Sequence, residues 1–178
     1  MHAHPRISVG IALVCMLLAW PAEMTEAQRT RQHGFITPAF DGDCLGLLVD
    51  AIQQARREVL VATYYLTHTR IQDALITAAN RGANVRIKYE ASTASHQTMR
   101  QILDRLEERG MEVTRIKMSR SGASMHHKFV VIDQLRVFTG SYNFTVMASR
   151  HNYENCVLIE SQAVAQDFAS VFEQIVSR

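Results

Sequence analysis

From Gly34 onward the chain alternates between segments whose apolar residues recur with a helical period and segments that read as strands, and few folds satisfy that alternation. The spacing predicts a helix over 43–56, a strand over 59–66, a helix over 71–81 that stops at Gly82, and a strand over 84–89. A helix over 96–109, capped by Gly110, and a strand over 111–117 continue the series. Strands joined through helices lie side by side in a sheet that the helices cover. The expected class is α/β: a mixed, largely parallel β-sheet flanked by helices on both faces.

The rhythm changes after the polar loop Ser119-Arg120-Ser121-Gly122. Two strands, 126–132 and 135–139, are joined by the tight pair Asp133-Gln134, so a hairpin stands where a helix would otherwise follow. A strand over 154–160 and an amphipathic helix over 162–176 complete the pattern, with Val164, Phe168, Val171, Phe172 and Ile175 on one stripe. No internal repeat or composition break divides residues 28–178, which are expected to form one domain.

Residues 1–27 read differently. His2, His4 and Arg6 precede fourteen uncharged residues, Ile7 to Trp20, and Thr25-Glu26-Ala27 offers small residues for cleavage after Ala27. This is the profile of a signal peptide, and the apolar run is short of the roughly 20 residues that span a hydrocarbon core. An uncleaved membrane anchor and a buried core helix are the alternatives. Cleavage would remove Cys15 and leave Cys44 and Cys156, either as one disulfide in an oxidising compartment or as two buried thiols. With 19 Lys plus Arg against 17 Asp plus Glu, the net charge of +2 does not mark a polyanion binder, so affinity for one must come from local placement.

The chemistry concentrates in residues 125–155. Alternation along a strand puts His126 and Lys128 on one face and His127 on the other, which also argues against His126 and His127 holding one metal ion. Gly140 ends the partner strand at a place suited to close approach, and Ser141 and Asn143 present a hydroxyl and an amide nearby. Together these groups suit a phosphate: charge from Lys128, neutral hydrogen bonds from Ser141 and Asn143, and a nitrogen of His126 able to attack phosphorus or carry a proton. Glu154 begins the next strand, where its carboxylate could orient the imidazole. Ser141 lacks the Gly-x-Ser-x-Gly elbow of a serine nucleophile. Arg115, Lys117 and Arg120 are candidates for a nucleic-acid groove, with a solvated strand face as the alternative. His68, His96 and His151 read as surface residues.

His126-x-Lys128, four residues, Asp133, six residues, Gly140-Ser141 and then Asn143 resembles the HKD motif of the phospholipase D superfamily. With Glu154-Asn155 and the flanking Tyr64-Tyr65, the chain is similar to the small secreted bacterial endonucleases of that superfamily. The resemblance implies the phospholipase D/nuclease fold and two-step phosphodiester cleavage without metal or cofactor. One histidine would attack phosphorus while another protonates the leaving oxygen. Because only one motif is present, it also implies a homodimer with the site across its two-fold. Asp133, at a hairpin turn, reads as structural. The expected function is therefore an exported, periplasmic or secreted endonuclease acting on DNA, RNA or both, without stable membrane association after signal cleavage. A membrane-associated phosphodiesterase for cardiolipin-like lipids and a non-catalytic nucleic-acid-binding module are the alternatives.

Overall fold

The computed structural model describes residues Phe35–Arg178. The expected signal or anchor segment 1–27, with Cys15, and also His33 lie outside the described residues. The elements run β1 (Phe35–Phe40), α1 (Asp43–Gln53), β2 (Glu58–Thr63), α2 (Thr69–Asn80), β3 (Asn84–Glu90), α3 (Gln97–Glu108) and β4 (Glu112–Ile116). They continue with β5 (Lys128–Ile132), β6 (Arg136–Gly140), α4 (Val146–Arg150), β7 (Asn155–Glu160) and α5 (Gln162–Gln174).

All seven strands join one sheet in the order β1-β7-β6-β5-β2-β3-β4. The alternation in β2 shows how the layers form. Val59 and Val61 enter the larger core with Leu48 and Ile52 of α1, Leu75 of α2 and Leu103 of α3, whereas Leu60 and Ala62 meet Ala165 and Phe172 of α5. Phe129 and Val131 of β5 extend the smaller core. Helices thus cover both faces, as expected, and the central strands read as unbroken apolar runs because neither face meets water.

The sheet is mixed, but the expectation that it is largely parallel needs correction. The pairs β2–β3 and β3–β4 are parallel, and the other four are antiparallel. Apolar periodicity reports which faces are buried and carries no direction; the connections set direction. The helical crossovers through α2 and α3 give parallel neighbours, while the β5–β6 hairpin and the insertion of β5 beside β2 give antiparallel ones. Strand β1 was not anticipated either. It is an edge strand with Pro38 and with Phe35, Ile36 and Phe40 exposed, so alternation is missing and Pro is tolerated. Five-residue α4 is too short to show a helical period.

Register brings one rim of the sheet together. Thr63 at the end of β2 pairs with Tyr89 and with Lys128, and Tyr89 pairs with Arg115. Phe129 pairs with Thr139 and Gly140 with Cys156, so the start of β5, the end of β6 and the start of β7 reach the same rim. It is the rim where the parallel strands β2, β3 and β4 end, the customary place for ligands on an open α/β sheet. Cys44 of α1 is disulfide-bonded to Cys156 of β7, with Cα atoms 5.9 Å apart, and this ties the first helix to the strand that carries the rim.

Candidate active site

His126 and His127 extend β5 beyond its last regular pair, the Tyr64 N–H donating to His127 O at 3.0 Å. The expected alternation holds. The His127 ring meets Phe129, centroids 5.4 Å apart, on the α5 side, while Lys128 turns toward His126. Lys128 Nζ lies 3.3 Å from both ring nitrogens of His126 and donates to His126 O at 3.1 Å. Tyr64 closes the group, its ring centroid 4.8 Å from that of His126 and 5.5 Å from the ammonium. His126 is exposed while Lys128 is buried. Burial pushes the Lys128 ammonium below its ordinary pKa, opposed by the charge of Glu154. Burial, with Lys128 and His126 adding to it, likewise lowers His127.

Gly140 is required by the approach of β7: a Cβ there would lie 2.2 Å from Asn155 O and 2.7 Å from Cys156 Cα. The close partner is thus protein backbone. Ser141 follows, its N–H donating to Asn155 O at 3.0 Å and its hydroxyl to Glu154 Oε2 at 2.5 Å. Asn152 Nδ2 donates to Glu154 Oε1 at 3.0 Å. Glu154 is therefore engaged by Ser141 and Asn152, whereas the ring nitrogens of His126 face Lys128. Asp41, which the sequence reading passed over, accepts the Glu154 N–H at 2.8 Å and adopts φ 51°, as Asp in an Asp-Gly turn readily does. Asn143 Oδ1 is buried without a hydrogen-bond partner among the described residues. Such an orphan acceptor is uncommon and marks a place where a donor is due.

His126 and Asn143 open onto different cavities. One of about 250 Å³ is lined by Met118, Met125, His126, His127 and Gln174. The other, of about 310 Å³, is lined by Tyr65, Thr67, Asn143, Met147 and Asn152. Arg115, Lys117 and Arg120, all exposed, gather around a third cavity of about 350 Å³ that also touches Glu90 and Ser92.

Asp133 sits at the far end of β5. Its carboxylate accepts the N–H groups of Arg56, Arg57 and Glu58, the shortest contact being 2.7 Å from Arg57. Burial raises its pKa, but these three bonds outweigh burial and hold the group below the ordinary carboxylate range. Asp133 and Gln134 both have positive φ, 55° and 57°, the geometry of a two-residue hairpin turn. Asp133 thus ties the hairpin turn to the backbone of residues 56–58. His68 is corrected: it is buried, and its Nδ1 caps α2 by accepting the Arg70 N–H at 3.2 Å. His96 and His151 are exposed. No three His, Cys, Asp or Glu side chains among the described residues group to hold a metal ion.

An exposed imidazole against a buried ammonium, with hydroxyl and amide groups on the adjoining strand end, defines a phosphodiesterase of the phospholipase D type. Residues 48–176 match the family described as "Cardiolipin synthase, PLD-like domain", and the chain belongs to that family. A protein named phospholipase D from Rickettsia prowazekii is 30% identical over 145 residues, covering 82% of this chain and 67% of its own. A mitochondrial cardiolipin hydrolase from Chlamydomonas reinhardtii is 27% identical, covering 74% of this chain and 56% of its own. Among solved structures, Nuc from Salmonella typhimurium, a phospholipase D family member, superposes with a TM-score of 0.74 at 23% identity, covering 79% of this chain and 93% of Nuc. NucT from Helicobacter pylori gives 0.72 at 23%, covering 79% and 96%. The α/β fold is thus that of Nuc.

Proposed function

We propose that the protein is an exported endonuclease that hydrolyses DNA or RNA without metal, in an active site built by two copies of the chain. In the first step His126 attacks phosphorus, the P–N bond forms, and the P–O bond to the leaving group breaks as the His126 of the second copy protonates that oxygen. Water then attacks the phosphohistidine, the second imidazole takes its proton, and the P–N bond breaks to release a phosphomonoester. Lys128 and the Asn143 amide N–H groups bind the phosphate oxygens, and Ser141 holds Glu154 beside them. A Glu154 carboxylate that its own chain directs to Ser141 would orient a histidine only across the two-fold, which supports the homodimer.

The observation that carries the nucleic-acid reading is the cavity ringed by Arg115, Lys117 and Arg120 on the same sheet rim as Lys128, where phosphates flanking the scissile one would bind. The coverage of nearly all of Nuc by this compact chain supports it too. Export is supported by the signal-like residues 1–27 and by the Cys44–Cys156 bond, which an oxidising compartment sustains. A lipid phosphodiesterase is the second reading, favoured by the cardiolipin hydrolase relatives and by the exposed Met147 beside the Asn143 cavity, with Tyr153 exposed nearby in sequence. Among the described residues no helix is long and apolar enough to cross a membrane.

Purified residues 28–178, offered plasmid DNA, single-stranded RNA and cardiolipin vesicles separately, distinguish the two readings. The nuclease account expects nucleic-acid cleavage that Arg115→Ala with Lys117→Ala weakens through KM, and no lipid turnover. Turnover of vesicles alone would replace it with the lipid reading.

A further inference from the structure

Glu90 is the last residue of β3 and only 3% exposed, yet among the described residues it forms no ion pair. A buried carboxylate without a cation persists only when hydrogen bonds replace its lost water. Glu90 has them on both oxygens. Oε1 accepts the Ser92 N–H at 3.0 Å and the Ser92 hydroxyl at 2.9 Å, and Oε2 accepts the Met125 N–H at 2.6 Å. Burial raises the pKa of the group, but the bonds from Ser92 and Met125 outweigh it and keep the carboxyl below its ordinary range.

Met125 immediately precedes His126, in a stretch with no regular structure between β4 and β5. Across Ser124–His127, the bond from Met125 to Glu90 is the one that a backbone N–H donates among the described residues. The other restraints on this stretch come to carbonyl oxygens, from Tyr64 N–H to His127 O and from Lys128 Nζ to His126 O. Ser92, held by the other oxygen of Glu90, lines the cavity of Arg115, Lys117 and Arg120. One carboxylate therefore ties the wall of the cationic cavity to the backbone that delivers the imidazole.

We propose that Glu90 is a positioning residue for phosphodiester cleavage, fixing the backbone at Met125 so that the His126 imidazole stands in line with phosphorus. The proposal rests on the reading of His126 as the nucleophile. It also explains why a carboxylate occupies the position. A carboxamide has one acceptor and one donor end, so glutamine would set an N–H against the N–H of either Met125 or Ser92. A displacement of about 1 Å at a reacting group costs on the order of a hundredfold in rate.

The test is steady-state hydrolysis of bis(p-nitrophenyl) phosphate, a small diester without flanking phosphates, by the parent, Glu90→Gln and Glu112→Gln. Glu90→Gln is expected to lower kcat by roughly 10- to 100-fold while KM stays within about twofold. Glu112→Gln alters an exposed carboxylate on the adjoining strand, keeps the Met125 bond and is expected to stay close to the parent. Parental kcat in Glu90→Gln, or equal losses in both variants, would overturn the proposal. Hydrogen exchange in the unaltered protein covers the case in which Glu90→Gln does not fold. The Met125 amide should be protected like those of β5, and exchange as fast as at Ser124 and His126 would refute the tie. A parent inactive toward every diester while Met125 is protected would instead fault the nucleophile assignment.

Discussion

The two ends of β5 carry the two halves of one motif under opposite conditions. At the Asp133 end, three backbone N–H groups from the α1–β2 connection and the first residue of β2 converge on a buried carboxylate, and the hairpin turn is set by two residues of positive φ. At the His126 end an exposed ring lies beside a buried ammonium whose pKa burial depresses, and on the neighbouring strand end the Asn143 amide oxygen has no partner among the described residues. Residues so close in sequence thus do different work, and hydrogen-bond saturation tells them apart. A satisfied buried carboxylate is architecture, whereas unsatisfied and desolvated groups at a sheet rim are poised for a ligand.

That contrast is broken most directly by His126→Ala, which is expected to reduce phosphodiester cleavage by a thousandfold or more, on the order of what losing a nucleophile costs. Its thermal unfolding should stay close to the parent's, because the ring is exposed and its contacts are confined to Tyr64 and Lys128 at the rim. Lys128→Met is expected to lower kcat/KM by roughly 100- to 1,000-fold, the scale of one charge-stabilising donor lost from an active site. Initial rates measured at saturating and limiting diester would show it.

Asp133→Ala should reverse the pattern. Leaving three N–H groups unmet is expected to lower the unfolding free energy by about 3 kcal/mol at neutral pH, read by urea titration, while kcat well below the melting temperature stays near the parent's. The Asp133 pKa is depressed in the folded state, so its contribution is complete above the unfolded value of about 4 and is lost as pH falls through the depressed one. The parent's advantage over Asp133→Ala should therefore be flat above about pH 5 and shrink in acid. A large loss of kcat in a folded Asp133→Ala protein would dissolve the contrast between the two ends. The smallest effect is expected for Ser141→Ala, about tenfold in kcat/KM, since it removes the hydroxyl that holds one oxygen of Glu154.

Much of this was legible in the sequence because it rests on local chemistry. The Asp133-Gln134 turn, the shared face of His126 and Lys128, and the opposite face of His127 all follow from strand alternation and turn preference. The predominance of antiparallel pairs was not legible, since β5 meets β2 only after a long chain excursion and nothing in its Phe129-Val130-Val131-Ile132 run encodes direction. Edge strand β1 hid behind Pro38 and its exposed aromatics. Asp41 and Glu90 were missed because both act on backbone N–H groups distant in sequence. The turn-forming Asp41-Gly42 pair was a usable signal for the first, and Glu90, the acidic end of an otherwise buried strand, a fainter one for the second.

The most direct test of the account is cleavage of plasmid DNA in excess EDTA by purified residues 28–178, parent against His126→Ala. A metal-independent histidine nucleophile gives cleavage by the parent that EDTA leaves intact and that the substitution abolishes. Cleavage that EDTA stops, or that survives the loss of the imidazole, would contradict it.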